Sequence, residues 1–480
     1  MHIYGQPQER GFIPLSAFIA ALAIMHVPAA QAHSPNTPRK PNIVFILADD
    51  LGYGMLGCYG QKKIKTPNVD RLAADGMRFT QCYAGCNVCA PSRSTLMTGL
   101  HTGHTPIRAN GGGMALAADD VTVARVLKAA GYRTGCFGKW GLGVEHSTGH
   151  PNRQGFDEFF GYLHQVHAHF YYPYFLWKNE EKFPLPENEG RKRARYSHDE
   201  IHAQALAFIR ANRDRPFFCY VPYTLPHVEL VVPEDSLKPY RGLWKEEPLK
   251  DPRPGYIGAD EPLATFAGMV SRLDRGVGDI LALLKDLALE DNTVVFFTSD
   301  NGAQAGAWKR VADFFEGNGP LRDYKGRFYE GGIREPLIVR WPGKVKPGST
   351  SDHVCAFWDM MPTLAEIGGG KAPKDTDGIS FVPTLLGKGK QAEHEFLYWE
   401  YPHATGVVQA VRMGDWKLVQ PAPGKPFELY DLRTDIGESK DVADRNPEVV
   451  AKIKRYLATA RTEPRKFPAE KSPGVNDFVK

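Results

Sequence analysis

Two short acidic segments each follow an apolar run of the kind that forms a buried strand. Asp49 and Asp50 follow one such run, and Asp300 and Asn301 follow another. In open α/β sheets the carboxyl ends of parallel strands share one edge, where ligands bind. Carboxylate and amide oxygens suit Ca²⁺ or Mg²⁺ better than Zn²⁺. Together the segments predict a cation site, although either one alone is also typical of helix caps and turns.

A second group of reactive side chains is a set of three closely spaced cysteines. Cys82, Cys86 and Cys89 have the C-x₃-C-x₂-C spacing that ligates an iron–sulfur cluster in radical-SAM enzymes. A cluster would leave the Pro-Ser-Arg sequence that follows Cys89 unexplained, and such enzymes are normally cytosolic. Cys82 and Cys86 are therefore expected to be packed thiols or disulfide partners, and their pairing cannot be deduced from sequence.

The stretch from Cys89 to Gly99 closely resembles the signature of the type I sulfatases, which belong to the alkaline-phosphatase-like superfamily. Cys89 begins a C-x-P-S-R motif that ends at Arg93, and Thr98 and Gly99 form the T-G pair. Other landmarks of the family occur in the expected order, so the resemblance spans residues 41–460. They are Asp49-Asp50, Gly138-Lys139-Trp140, Pro226-His227, Ser299-Asp300-Asn301-Gly302, Lys325-Gly326, Tyr329-Glu330-Gly331-Gly332, Arg334-Glu335-Pro336, Trp416-Lys417-Leu418 and Glu428-Leu429-Tyr430-Asp431-Leu432.

The resemblance implies that a maturation enzyme oxidises Cys89 to Cα-formylglycine after synthesis. Hydration of this aldehyde gives a gem-diol, in which one hydroxyl attacks sulfur and expels the alcohol. Deprotonation of the other hydroxyl then expels sulfate, a step for which a serine has no second hydroxyl. A divalent cation would lower the pKa of the nucleophile and screen the charge of the sulfate. The substrate implied is an aryl or carbohydrate sulfate ester.

The same resemblance gives each charged landmark a role. Arg93 is expected to steady the diol or its alkoxide, and Lys139 and Lys325 are suited to grip sulfate oxygens. His227 is expected to contact sulfate or to protonate the leaving oxygen. The cation is Ca²⁺, with Mg²⁺ as the alternative, and its expected ligands are Asp49, Asp50, the modified Cys89, Asp300 and Asn301.

The sequence departs from the family pattern at one position that matters for the reaction. Many members read Gly-Lys-Trp-His-Leu-Gly, and that histidine assists deprotonation of the diol. Here Gly141 occupies the position of the histidine. Three alternatives follow: another histidine serves (His146, His164 or His167), the diol loses its proton by another route, or turnover is slow or lost.

Strand and helix patterns alternate along most of the chain. They predict an α/β fold with a mixed, mostly parallel sheet flanked by helices. After residue 375 short strand patterns precede one helical pattern, which indicates a smaller domain of antiparallel sheet plus helix. We therefore expect a catalytic domain at 33–375 and a small C-terminal domain at 376–480. The strand runs are 42–48, 216–222, 293–299 and 336–341, and the helical runs are 121–131, 262–288 and 447–460.

Composition and the N-terminal sequence indicate the compartment and exclude several classes of protein. A hydrophobic content of 42% excludes disorder, and a net charge of +4 is too small to indicate nucleic acid as the main partner. Residues 13–32 are uncharged and end in Ala30-Gln31-Ala32, which predicts a signal peptide at 1–32. His26 and two prolines argue against a membrane anchor. The mature protein is expected to be periplasmic or secreted, with no stable membrane insertion.

The most specific interpretation is thus an exported sulfatase. One alternative is a phosphate or phosphonate monoester hydrolase on the same fold, and a second is an inactive homologue that binds sulfated glycans. The basic run at 191–195 could attract an anionic polysaccharide, with a solvated surface loop as the simpler explanation. The ring-rich run at 165–172 fits stacking on sugars and ordinary core packing equally well.

Overall fold

The computed structural model describes residues 39–111, 113–468 and 474–479, and the predicted signal peptide lies outside them. The largest feature is an 11-stranded sheet. Its strands are β1 (Asn42–Ala48), β2 (Met77–Tyr83), β3 (Arg133–Lys139), β4 (Glu158–Tyr162), β5 (Phe175–Lys178), β6 (Glu181–Pro184), β7 (Phe217–Pro222), β8 (Thr293–Ser299), β9 (Arg334–Arg340), β10 (Ser349–Ser351) and β11 (Cys355–Ala356).

The centre of this sheet is parallel and its margins are mixed. The strand order is β10-β2-β9-β8-β1-β7-β3-β4-β5-β6, with β11 paired to β2. Strands β8, β1, β7, β3 and β4 run parallel to one another, whereas β9 is antiparallel to both β2 and β8. Strands β5 and β6 add an antiparallel edge. The predicted mixed, mostly parallel sheet is confirmed.

Helices cover both faces of the sheet. Along β1, Val44 and Ile46 belong to the apolar core that includes α1, α4 and α6. Phe45 and Leu47 belong to the opposite core with α2, α3 and α9, because successive strand residues point to opposite faces. The helices are α1 (Pro67–Ala74), α2 (Cys89–Thr98), α3 (Val123–Ala129), α4 (Ser197–Ala211), α5 (Glu234–Leu237), α6 (Pro262–Asp286), α7 (Lys309–Phe314), α8 (Glu330–Ile333), α9 (Met360–Gly368), α10 (Val382–Leu386) and α11 (Pro447–Leu457).

The C-terminal part of the chain forms a second, antiparallel sheet of four strands. These are β12 (Leu397–His403), β13 (Gly406–Met413), β14 (Trp416–Val419) and β15 (Glu428–Asp431), paired in chain order. One face packs with Ile453 of α11, and the other packs on Tyr83 and Trp358. This confirms the predicted sheet and helix, while the division at residue 375 stays a prediction.

A buried ion-pair cluster fastens the second sheet to the first. The Nζ of Lys417 on β14 lies 2.7 Å from an oxygen of Glu330 on α8 and 3.1 Å from an oxygen of Glu438. All three side chains are completely buried. Among the described residues, we find no helix with the length and apolar character needed to cross a bilayer.

Candidate active site

The two acidic segments lie side by side because β1 and β8 are adjacent and end together. Ala48 pairs with Ser299 in the register, so Asp49, Asp50, Asp300 and Asn301 meet at the carboxyl edge of the sheet. The backbone N–H of Asp50 donates to Asp300 Oδ1 at 3.1 Å, and Asn301 Nδ2 donates to Asp50 Oδ1 at 2.6 Å. All four side chains are buried. The convergence expected from the sequence is present.

Cys89 is the first residue of α2 and faces these carboxylates. Its Sγ lies 3.4 Å from Asp49 Oδ1 and 3.9 Å from Asp50 Oδ1. The hydroxyl of Ser92 donates to the backbone oxygen of Asp300 at 2.6 Å, which fixes the start of α2 against the end of β8. Burial, reinforced by Asp49, raises the pKa of the Cys89 thiol. The cysteine of the signature is thus held at the floor of the site.

Two cations are built into the floor. The Nε and Nη2 of Arg93 donate to Asp300 Oδ2 at 3.0 and 2.8 Å, and its Nη1 donates to the Lys139 carbonyl at 2.6 Å. The Lys139 ammonium lies 2.6 Å from Asp49 Oδ2. Both cationic side chains are 1% exposed, so they hold the carboxylates from below.

Lys325 and His227 form the accessible side of the cluster. Lys325 Nζ lies 2.8 Å from Asp50 Oδ2, 3.3 Å from Cys89 Sγ and 3.1 Å from His227 Nε2. Because an ammonium can only donate, His227 Nε2 accepts, and its Nδ1–H donates to the Val228 carbonyl at 3.0 Å. Burial and the neighbouring Lys325 hold the pKa of His227 well below its ordinary value. The imidazole is therefore neutral and the proton nearest the pocket belongs to Lys325.

The protein atoms fit a divalent cation. Burial raises the pKa of Asp50, and burial with Asp49 raises that of Asp300 to about 6. Burial also acts against ionisation of Asp49, but the cations Lys139, Arg93 and Lys325 outweigh it and lower its pKa. The buried Oδ1 of Asn301 has no hydrogen-bond partner among the described residues. Three carboxylates that lie close together and an unused amide oxygen form the oxygen donor set that Ca²⁺ prefers.

A cavity of about 420 Å³ opens above Cys89. Lys325 and His227 contribute to its wall, and so do three residues that the sequence analysis did not assign to the site: Gln165, His169 and Arg253. The ring of His169 stacks on that of His227, with centroids 4.6 Å apart. Its neighbour Arg253 comes from a loop about 80 residues further along the chain. Gln165 and His169 lie in the ring-rich run at 165–172, for which core packing was an equal explanation, and no local motif marks Arg253.

Gln165 takes the space that a side chain at position 141 would need. A Cβ on Gly141 would lie 2.0 Å from Gln165 Nε2, and the φ of Gly141 is +75°. Of the histidines considered as a replacement base, His164 lines the cavity. His167 is buried instead, stacked on Phe478 at 4.4 Å, and the 79% exposed side chain of His146 lies beside Glu145. His164 is thus the candidate of the three that the structure places at the site.

The site consists of acidic residues at the carboxyl ends of neighbouring strands in a mixed, mostly parallel sheet, with one cavity above them. This arrangement places the protein in the class of alkaline-phosphatase-like hydrolases. Within that class the chain belongs to the sulfatase family. The sulfatase family model matches residues 41–370, and a model of the N-sulphoglucosamine sulphohydrolase C-terminal region matches residues 321–463. The predicted sulfuric ester hydrolase is thereby confirmed.

Similar proteins agree with this assignment over most of their length. The chain is 36% identical to human arylsulfatase A, with 87% of each chain covered. It is 30% identical to an N-acetylgalactosamine-6-O-sulfatase of Bacteroides thetaiotaomicron, covering 94% of this chain and 98% of that one. A crystal structure of Ps i-CgsB in complex with k-i-k-neocarrahexaose superimposes with a TM-score of 0.77 at 28% identity, covering 90% of this chain and 95% of the other.

Proposed function

We propose that this sulfatase hydrolyses aryl or carbohydrate sulfate esters with a formylglycine made from Cys89 as nucleophile and a divalent cation bound beside it. The observation that carries the proposal is the position of Cys89. Its Sγ lies at the floor of a cavity of about 420 Å³, within 3.9 Å of two carboxylates and 3.3 Å from a lysine ammonium. A nucleophile held there would meet an ester that enters from the cavity.

Residues of the strand ends would hold the cation. The proposed ligands are those expected from the sequence: Asp49, Asp50, the modified Cys89, Asp300 and Asn301. When bound, Ca²⁺ or Mg²⁺ supplies positive charge that favours an oxygen nucleophile and screens an incoming sulfate. The hydrated aldehyde supplies that oxygen. Arg93 orients Asp300 and opposes the rise of its pKa, because two of its nitrogens hold a single oxygen of that carboxylate.

The two lysines of the site differ in solvent exposure, and we assign them different roles for that reason. Lys325 lines the cavity and is 17% exposed, so its ammonium can bind a sulfate oxygen and donate a proton toward the leaving oxygen. His227 orients Lys325 by accepting one of its protons at Nε2. Lys139 is 1% exposed and does not line the cavity, so we assign it to holding Asp49. This gives Lys139 a narrower role than the sequence implied.

The proposal carries two consequences outside the site. A formylglycine-generating enzyme must act on Cys89, and because this residue is 2% exposed in the fold, it must act before folding is complete. Export to the periplasm or beyond remains part of the proposal and rests on the N-terminal sequence alone. The expected leader lies outside the residues that the structure describes.

The experiment is coexpression with a maturation system, followed by mass spectrometry and kinetics on the same sample. The Cys89 peptide should carry an aldehyde in place of the thiol, and free sulfate should appear from an aryl sulfate. Cys89→Ala should lose turnover with an unchanged circular dichroism spectrum. An active protein with an alkylatable Cys89 thiol would refute the mechanism. A higher kcat/KM on aryl phosphate would favour the phosphate or phosphonate hydrolase, and full conversion with glycan binding but no turnover would favour the inactive homologue.

A further inference from the structure

One wall of the reaction cavity carries a cation that the proposed reaction does not use. Arg253 lines the cavity, and its guanidinium lies 3.9 Å from the centroid of the Tyr256 ring. Its Nε donates to Asp251 Oδ1 at 2.8 Å, and the Asp251 side chain is completely buried. This anchor fixes the guanidinium in place. The Nη1 of Arg253 has no hydrogen-bond partner among the described residues, and the side chain is 37% exposed.

The same loop also lines a smaller cavity of about 90 Å³, through Ile257. Phe170, Tyr172 and Ile257 provide its apolar wall. Tyr256 and Ile257 connect the linings of the two cavities: the backbone N–H of Ile257 donates to a Glu229 oxygen at 2.9 Å, and the Tyr256 hydroxyl lies 2.6 Å from His169 Nδ1. The small cavity therefore adjoins the reaction cavity through a hydrogen-bonded strip.

Two arginines of the basic run line this outer cavity. Arg191 and Arg193 are exposed, and neither forms an ion pair with a carboxylate in the described parts of the chain. Arg195 differs, because Glu187 and Glu200 both pair with it. Arg191 Nη1 donates to the Gly255 carbonyl at 3.2 Å, which ties the run to the loop that carries Arg253. The run is thus docked beside the reaction cavity with two charges uncompensated.

We infer that Arg191, Arg193 and Arg253 form an outer anion subsite for a substrate that carries at least two anionic groups on a sugar chain. One sulfate would lie above Cys89, and a second sulfate or a carboxylate would meet the outer guanidinium groups. Guanidinium groups bind such anions through paired N–H donors, and the partly exposed ring of Tyr172 offers an apolar face to a sugar. The inference rests on the proposed function and makes a polyanionic oligosaccharide, not a singly charged aryl ester, the preferred substrate class.

The outer cavity contains one acidic side chain, that of Glu229. Its Oε1 accepts the Ile257 N–H, and burial raises the pKa of Glu229 to about 7. Raising this pKa reduces the negative charge that would oppose an anion at neutral pH. Arg253 is already paired with Asp251, so the positive charge of the subsite comes from Arg191 and Arg193, which line a cavity with one weakly ionised carboxyl.

Calorimetry on the full chain with Cys89 left unconverted tests the subsite without requiring turnover. The probes are sucrose octasulfate, a compact polysulfated sugar, and inorganic sulfate. The test variant is Arg191→Gln/Arg193→Gln. The matched control is Arg71→Gln/Arg433→Gln, which removes the same charge from side chains that are 77% and 73% exposed.

We expect the Kd of sucrose octasulfate to rise at least about tenfold in the test variant and less than about twofold in the control. The Kd of inorganic sulfate should change less than about threefold in either protein, because a single anion can occupy the inner site. Absence of octasulfate binding, or equal losses in both double variants, would overturn the subsite. Failure of the proposed function would give a different result: the matured enzyme would release no sulfate from any ester, while the test variant would still bind sucrose octasulfate more weakly than the control.

Discussion

Glu335 is the family landmark whose carboxyl group has the least support in the fold. It lies on β9 opposite Cys82 of β2 and is completely buried. Neither of its oxygens has a hydrogen-bond partner within the described ranges. Burial, with a smaller contribution from Asp300, raises the pKa of Glu335 well above its ordinary value. We therefore expect a protonated, neutral carboxyl in the folded protein at neutral pH.

The pH dependence of stability follows from this protonation. Above pH 4.5 the carboxyl ionises in the unfolded chain but keeps its proton in the fold, so folding takes up a proton. The free energy of unfolding then falls as pH rises toward the folded pKa, by at most about 1.4 kcal/mol per pH unit. Glu335→Gln keeps the shape of the neutral acid and removes the ionisation.

Urea unfolding at pH 5, 6.5 and 8 in excess Ca²⁺ would measure the effect. The Gln variant should match the wild type near pH 5 and exceed it increasingly at pH 6.5 and 8. Glu395→Gln is the control, because that side chain is 68% exposed. Parallel curves for wild type and Glu335→Gln would refute the reasoning. If Glu335→Gln instead lowers the free energy of unfolding by several kcal/mol at every pH, Glu335 is an ionised carboxylate with a partner, which would also refute the reasoning.

Other predictions concern the glycine at the base position, the junction of the sheets and the cation. Gly141→Ala should cost about 1–2 kcal/mol of stability because of the positive φ of this residue. The loss should be larger when Gln165 is present than in a Gln165→Ala background. Additive losses in this double-mutant cycle would contradict an overlap between Gln165 and a side chain at position 141. Lys417→Met should cost about 3–5 kcal/mol in urea unfolding, since Glu438 loses its cationic partner and Glu330 keeps only its ion pair with Arg334. A loss below about 1 kcal/mol would argue against a charged cluster. Chelation of divalent ions should lower the free energy of unfolding by about 3 kcal/mol, compared with protein that contains the ion at a hundredfold excess over its Kd. Asp50→Asn should remove most of this response. Identical wild-type unfolding curves with and without chelator would exclude a stabilising site.

The sequence was sufficient to predict the central elements because their signals are local. The run before Asp49 forms β1 with every residue buried, and the run before Asp300 forms β8. Each acidic pair therefore marks a strand end, and the expectation that the two meet required only that the strands be neighbours in a parallel sheet. The helix predicted at 262–288 is present as Pro262–Asp286 for the same reason, since its apolar spacing is continuous.

The parts that could not be predicted depend on tertiary distances. Lys139 has the residue type of a sulfate ligand, but only the fold shows that its ammonium is buried against Asp49. Gln165 and Arg253 reach the cavity from separate loops and belong to no motif. The sequence identified Gly141 as a departure from the family, whereas the 2.0 Å approach of Gln165 shows what fills the place.

The cations of the site form two levels that should affect different kinetic constants. In the inner level, Arg93, Lys139 and Lys325 each lie within hydrogen-bond distance of a carboxylate. Because these charges are already compensated, a single sulfate gains little long-range attraction from them, and their effect belongs to the reacting geometry. Arg191 and Arg193, which form the outer level, have no carboxylate partner in the described chain. They can therefore attract a second anion before the substrate contacts the protein. Removing them should therefore raise KM for polyanionic esters, whereas losing an inner cation should lower kcat.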